Sequence, residues 1–165
     1  MTTLDNLRVE AVDYRDPAQA AQLVELLNGY AIDPAGGGEG LSEFARSNVV
    51  AELAARPQAF SVIAYQGATP VGLINCIEGF STFACRPLVN VHDVVVLESH
   101  RGMGVAALML KSVEETARQR GACKLTLEVL QGNRSAMRLY ERIGFTGYQL
   151  DPAMGTATFM QKWLD

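Results

Sequence analysis

The side chains best suited to chemistry gather in two stretches of this 165-residue chain. The first runs from Val94 to Ala106, Val-Val-Val-Leu-Glu-Ser-His-Arg-Gly-Met-Gly-Val-Ala. Its β-branched start reads as a buried strand, a polar turn follows, and glycine-spaced residues open the amphipathic run Val105 to Gln119. A helix beginning there leaves the N–H groups of its first turn without internal partners. With the positive end of the helix dipole, those donors suit a phosphate or pyrophosphate. Gly102 and Gly104 let an anion come close to the backbone, and Arg101 adds positive charge at the loop entrance. The loop lacks the Gly-Lys-Ser/Thr ending of a P-loop, and its glycines do not fit the three-glycine dinucleotide fingerprint.

The second stretch lies downstream. Leu125-Thr-Leu-Glu-Val129 reads as a strand and Asn133 to Arg142 as a helix ending at Ile143-Gly144-Phe145. Asn133 and Tyr140 are seven residues apart, two helical turns, so they share one helix face with Asn133 placed as an N-cap. Three titratable groups near these stretches could serve a proton transfer. Asp93 stands in the middle of an apolar strand, where an idle carboxylate would be costly; a catalytic task or a buried arginine partner would each account for it. Glu128 precedes Asn133 by five residues, and His92, next to Asp93, would point to the opposite sheet face in a regular strand. Deprotonation through water needs none of them.

Arg101-Gly102-Met103-Gly104-Val105-Ala106 fits Arg/Gln-x-x-Gly-x-Gly/Ala, and it resembles the acetyl-CoA pyrophosphate loop of the GNAT N-acetyltransferase superfamily. Asn133-x6-Tyr140 followed by Gly144-Phe145 resembles the second signature of that superfamily, in the expected order. The resemblance covers the chain from about Phe60 onward. It implies acetyl-CoA as acetyl donor, with the pantetheine arm on Val94, Val95 and Val96 where two strands splay apart, and an amide of Val95 or Val96 facing the thioester oxygen. It also implies contacts from Arg101, Gly102, Met103, Gly104, Val105, Ala106, Asn133 and Tyr140. Tyr140 takes the place of the general acid, and a phenol of pKa about 10 holds its proton at neutral pH. Asp93 matches an acidic position on the acceptor side of some small-amine enzymes, and Glu128 a base position in some peptide N-terminal acetyltransferases. Pairing into a homodimer through the last strands is a further implication of the family.

These residues need a scaffold. Leu7 to Tyr14 alternates as a strand, and Pro17 opens a helix with Leu23, Val24, Leu26 and Leu27 on one stripe, ending near Gly29. Asp33 to Gly40, rich in glycine, is a loop, either a connector or a lid over the acceptor through Gly36 to Gly40. A helix over Leu41 to Arg56, capped by Ser42, turns Phe44, Val49, Leu53 and Ala54 inward. Phe60 to Tyr65 and Val71 to Ile77 form a hairpin, Gly79 to Pro87 breaks the pattern, and Leu88 to Leu97 is a long strand. Phe80 and Phe83, in that break, either line an acceptor pocket or pack in the core. Gly144 to Leu150 and Ala157 to Leu164 read as closing strands. The order implies one α/β (α+β) domain over residues 1–165, a mixed, mostly antiparallel sheet of six to seven strands flanked by about four helices.

Composition narrows the partners. Hydrophobic residues make up 48% and charged residues 19%, which fits a globular chain and argues against disorder. A net charge of −4 leaves no basic footprint for nucleic acid and suits a cationic amine. Cys76, Cys85 and Cys123 show no paired zinc spacing, so no metal is expected and the thiols read as reduced. No apolar run approaches membrane length and the first residues carry no leader pattern, so a cytoplasmic location is expected. The function that the resemblance implies is transfer of acetyl from acetyl-CoA to a primary amine of a small metabolite, by direct attack in a ternary complex. Peptide or protein N-terminal acetylation and a non-catalytic acyl-CoA sensor are the alternatives.

Overall fold

A computed structural model describes residues 6–164. The chain divides into two compact units, Met1–Leu127 and Glu128–Asp165.

In the first unit, strands β1 (Leu7–Ala11), β2 (Ala59–Gln66), β3 (Thr69–Ser81), β4 (Arg86–Val96) and β5 (Leu125–Leu127) lie side by side in chain order. Every neighbouring pair is antiparallel except β4 with β5. The helices are α1 (Pro17–Ile32), α2 (Glu43–Ala54) and α3 (Val105–Gln119). Asp16 caps α1 by accepting from the Ala18 and Gln19 amides, with Pro17 in the first turn. The helix runs through Gly29 rather than ending near it. One glycine costs about 1 kcal/mol, too little to stop a packed helix. The stop comes at Asp33, held extended at ψ 141 ahead of Pro34.

Ser42 caps α2 as expected, accepting from Ala45 N–H at 3.1 Å. Val49, Val50 and Leu53 pack on the core, but Phe44 is 76% exposed and Ala54 faces solvent. Phe44 sits about 180° around the helix from Leu53, so the two cannot share an inward stripe. β1 also ends earlier than its sequence pattern, at Ala11, where the Asp13 carboxylate takes the Arg15 amide and the chain turns toward α1. The β3–β4 hairpin is longer than expected: both strands continue through Gly79 and Pro87, leaving Thr82 to Cys85 as the turn, with Cys85 at φ 50.

The sheet is covered on both sides. Leu23 and Leu26 of α1 meet Ile63, Tyr65, Leu73 and Val95 on one face. On the other, α3 lies so near the sheet that a Cβ on Gly72 would stand 2.8 Å from Met109 Cε and 3.0 Å from Val95 O. Glycine at 72 is what lets this helix settle.

The second unit contains α4 (Arg134–Arg142) and a short 3-10 turn, Pro152–Met154. Neither expected closing strand forms, so the sheet has five strands rather than six to seven. Alternation marks which residues would share a face; a strand also needs a ladder. Between the two segments a lone backbone bond, Ala157 N–H to Tyr148 O at 3.2 Å, is made among the described residues.

Candidate active site

The loop before α3 is a glycine turn leading into an uncapped helix. Gly104 stands before α3 at φ 83, Gly102 at φ 75, and no side chain caps the helix. The first helical bond is Leu108 N–H to Gly104 O at 3.0 Å, which leaves the amides of Val105, Ala106 and Ala107 without a helical acceptor. No acidic residue occupies the first turn. A Cβ at Gly102 or Gly104 would meet nothing within 4 Å, so backbone conformation demands glycine there and the space before the loop is open. Arg101 is tethered: its guanidinium meets Asp33 Oδ2 at 2.7 Å and donates from Nε to Val96 O at 3.2 Å. That guanidinium, followed by the Ala35 amide, holds the Asp33 carboxyl below its usual range.

Beside the loop, β4 loses its partner. Pairing with β5 covers Val89 to Val91 and stops at Leu127, so Val94 to Val96 border no strand of the sheet on that side. Leu97 donates to Val71 O on the β3 side at 2.9 Å, and Val95 lies opposite Leu73. By the two-residue repeat of an antiparallel ladder, Val95 therefore turns its amide toward β3, whereas Val94 and Val96 turn theirs to the open edge.

Asp93 reaches its face of the sheet by an irregularity. Cys76 pairs with Val91 but Asn75 with Asp93, so His92 is an extra residue, a β-bulge. The bulge sets Asp93 on the face covered by α1 and α2. His92 Nδ1 contacts Asn90 Oδ1 at 3.3 Å, which puts His92 on the Asp93 face and corrects the regular-strand expectation of opposite faces. Among the described residues no arginine pairs with Asp93; Asn75 Nδ2 donates to its Oδ2 at 3.0 Å. Tyr30, near the end of α1, is pushed above its usual pKa by burial and then by the negative fields of Asp93 and Asp33. The neutral Tyr30 phenol thus lies within the fields of the Asp93 and Asp33 carboxylates, and Asp33 meets Arg101 of the loop before α3. Sequence reasoning missed Tyr30, Asp33 and Asn75, although Asn75 gave a signal as an amide inside Leu-Ile-Asn-Cys-Ile.

Gly36 to Gly40 begins in a 3-10 turn, Pro34–Gly36, capped by Asp33. A Cβ on Gly36 would fall 1.9 Å from Tyr30 O, so this glycine binds the loop closely to α1. Phe80 and Phe83, at the hairpin tip, are 58% and 94% exposed, which rules out core packing for both. They sit there because the hairpin carries them beyond the layers of helix.

In the second unit Glu128 is exposed, just past the end of β5. Asn133 caps α4, accepting from Ala136 N–H at 3.2 Å. Tyr140 is 8% exposed and meets Phe145 edge to face at 5.8 Å, while its carbonyl accepts the Phe145 amide at 2.9 Å. The turn at Gly144, φ 103, brings Phe145 back onto the helix. Among the described residues no group of three or more His, Cys, Asp or Glu side chains could hold a metal ion, and no helix is long and apolar enough to cross a membrane.

Comparison with known proteins finds relatives both in sequence and in fold. A streptothricin acetyltransferase of Streptomyces lavendulae is 34% identical over 93 residues, 53% of this chain and 49% of that protein. A thialysine N-epsilon-acetyltransferase of Bos taurus is 34% identical over 79 residues, 48% of this chain and 46% of that protein. The chain thus spans about half the length of these curated relatives. A solved aminoglycoside acetyltransferase from an uncultured soil metagenomic sample shares the fold, with TM-score 0.76 at 13% identity over 96% of this chain and 97% of that one. The family model described as Acetyltransferase (GNAT) family matches residues 22–145, from within α1 through α4 to Phe145, and the chain belongs to that family.

Proposed function

We propose that the protein transfers the acetyl group of acetyl-CoA to a primary amine of a small cationic metabolite, in the cytoplasm and within a ternary complex. The observation that carries this reading is the uncapped start of α3, with two open, positive-φ glycines, next to the unpartnered edge of β4. The donor set fits a diphosphate: amides of Val105, Ala106 and Ala107, a guanidinium at Arg101, and no carboxylate in the first turn. Met103 completes the loop. When bound, acetyl-CoA supplies an activated acyl carbon and a thiolate leaving group.

The residues of this chain do the rest. Val94 and Val96 would offer amides to the pantetheine arm, and the Val96 amide would serve as donor to the thioester oxygen. Val95, turned into the sheet, supports that edge from within. Asp93 takes the ammonium proton so that the amine nitrogen can attack. Tyr140 would supply a phenolic proton for the departing thiolate, and Asn133 fixes the start of the helix that carries it. Glu128 is the second candidate base, and Phe80, Phe83 and His92 bound the acceptor side. A single domain is supported by the family match, which runs unbroken across Leu127. Relatives named for thialysine and streptothricin support an amine acceptor.

Two measurements test this. Calorimetry with acetyl-CoA should show binding that is lost in Gly104→Val, since a β-branched residue at φ 83 distorts the loop. Release of free CoA, followed across polyamines, amino acids, aminoglycosides and short peptides, should identify an amine that is turned over. Binding without turnover of any amine would mark an acyl-CoA sensor, and turnover of peptides alone an N-terminal acetyltransferase.

A further inference from the structure

A row of polar side chains crosses the α1 and α2 face of the sheet where apolar residues would pack more cheaply. Tyr14 Oη lies 2.8 Å from Ser61 Oγ, Ser61 Oγ lies 2.6 Å from Asn75 Oδ1, and Asn75 Nδ2 lies 3.0 Å from Asp93 Oδ2. Ser61 is 2% exposed and Asn75 4%. They are the two polar residues of the buried core among the described residues, so leaving either unpaired would carry a full desolvation penalty.

The row has a direction. A carboxylate only accepts, so the Asp93 end requires the NH2 of Asn75. Asn75 Oδ1 must then accept from Ser61, and Ser61, its proton committed, must accept from Tyr14. Every donor points toward Asp93. The row also depends on the bulge in β4: without His92 as an extra residue, the register would set His92 opposite Asn75 and send Asp93 to the α3 face.

We propose that Tyr14, Ser61 and Asn75 are positioning residues that hold the Asp93 carboxylate in one orientation toward the acceptor amine. The inference rests on the reading of Asp93 as the group that receives the amine proton. The three positioning residues act through Asp93, each less directly than the next.

The test combines crystal structures with kinetics of the full chain, using acetyl-CoA with thialysine, spermidine and tobramycin as amines. Asn75→Leu and Ser61→Ala should release Asp93 into more than one rotamer. Loss of a hydrogen bond to a charged group corresponds to about tenfold or more in kcat/KM for the amine, so the losses should rank Asn75→Leu, then Ser61→Ala, then Tyr14→Phe. KM for acetyl-CoA should hold within about twofold in all three. Cys76→Ala, one position along β3 on the opposite face, controls for lost stability and should leave the amine kinetics unchanged. Ser61→Ala, a small change, keeps the test open should Asn75→Leu fail to fold.

Asp93 keeping its rotamer in the variants, or amine kcat/KM untouched while Asp93→Asn abolishes turnover, would overturn the positioning role and leave the proposed function standing. Asp93→Asn turning over as well as the parent, or no amine of the three being acetylated, would overturn the reading beneath it and the positioning role together.

Discussion

Tyr140 carries the sharpest prediction at the scale of single residues. Phenylalanine at that position keeps the ring that packs on Phe145 and leaves the Asn133 cap untouched, removing one hydroxyl. Tyr140→Phe should therefore bind acetyl-CoA within about twofold of the parent in calorimetry and lose on the order of 100-fold in kcat, the usual contribution of a positioned general acid. Unchanged turnover would assign the proton to another group. Gly36 tests a structural role. Its missing Cβ leaves room for Tyr30 O, 1.9 Å from where that atom would sit, so Gly36→Ala must push the 3-10 turn off α1. Thermal unfolding should register a loss of about 1–3 kcal/mol; a midpoint equal to the parent's would mean that the turn yields freely. The two residues differ in how far the sequence betrays them. Tyr140 stands in a recognisable spacing with Asn133 and Phe145. Gly36 hides among Gly37, Gly38 and Gly40, and the contact that singles it out comes from the path of α1.

The Asp33–Arg101 pair joins two elements that sequence analysis treats separately, the glycine-rich connector after α1 and the glycine loop before α3. Because Arg101 depresses the Asp33 pKa, the contribution of this pair is fully present above the ordinary carboxylate value of 3.8 and is lost as pH falls below it. Asp33→Asn reaches the uncharged condition at neutral pH while retaining an oxygen to cap Ala35. Amide exchange over Gly36 to Gly40 should rise severalfold in that variant, while the global midpoint barely moves, as befits an exposed ion pair. Exchange equal to the parent's would show that the Gly38 bonds to Ala31 O and Asp33 O hold the connector alone. Elements with strong local signals were legible: α3 from its amphipathic run, the Ser42 and Asn133 caps from their types, the open edge at Val94 to Val96 through family resemblance. The bulge at His92 was not: it sets Val91 on the Cys76 face and Asp93 with Val95 on the other, and the run of valines around it carries no mark of the break. The closing strands were over-read for a related reason. Alternation in Ala157 to Leu164 is a property of one segment, and a ladder is a property of two.

At the scale of the molecule, the first unit is a sheet with buried chemistry on both faces, and alkali probes it as a whole. Cys76, fully buried under α3, has its thiol pushed up to about 12, chiefly by burial, with the Arg120 field lowering it and the Asp93 field raising it. An unfolded chain releases that proton near 9.0, so between 9.0 and about 12 the unfolded state binds fewer protons than the folded one. Stability must then fall as pH rises through that range, by on the order of 4 kcal/mol for this group alone. Tyr14, Tyr30 and Tyr65, each raised first by burial, act with the same sign above 10.0. Urea midpoints at pH 8 and pH 10.5 should therefore separate for the parent and separate less for Cys76→Ala, which lacks the thiol. Thiol reagents read the same coupling from the other side. Cys85, exposed at the hairpin turn, should react at once at neutral pH, whereas Cys76 should wait for opening of the sheet. Equal rates at the two sites would mean that β3 opens locally, and a sheet that loose could not keep Asn75 aligned with Asp93 on its opposite face.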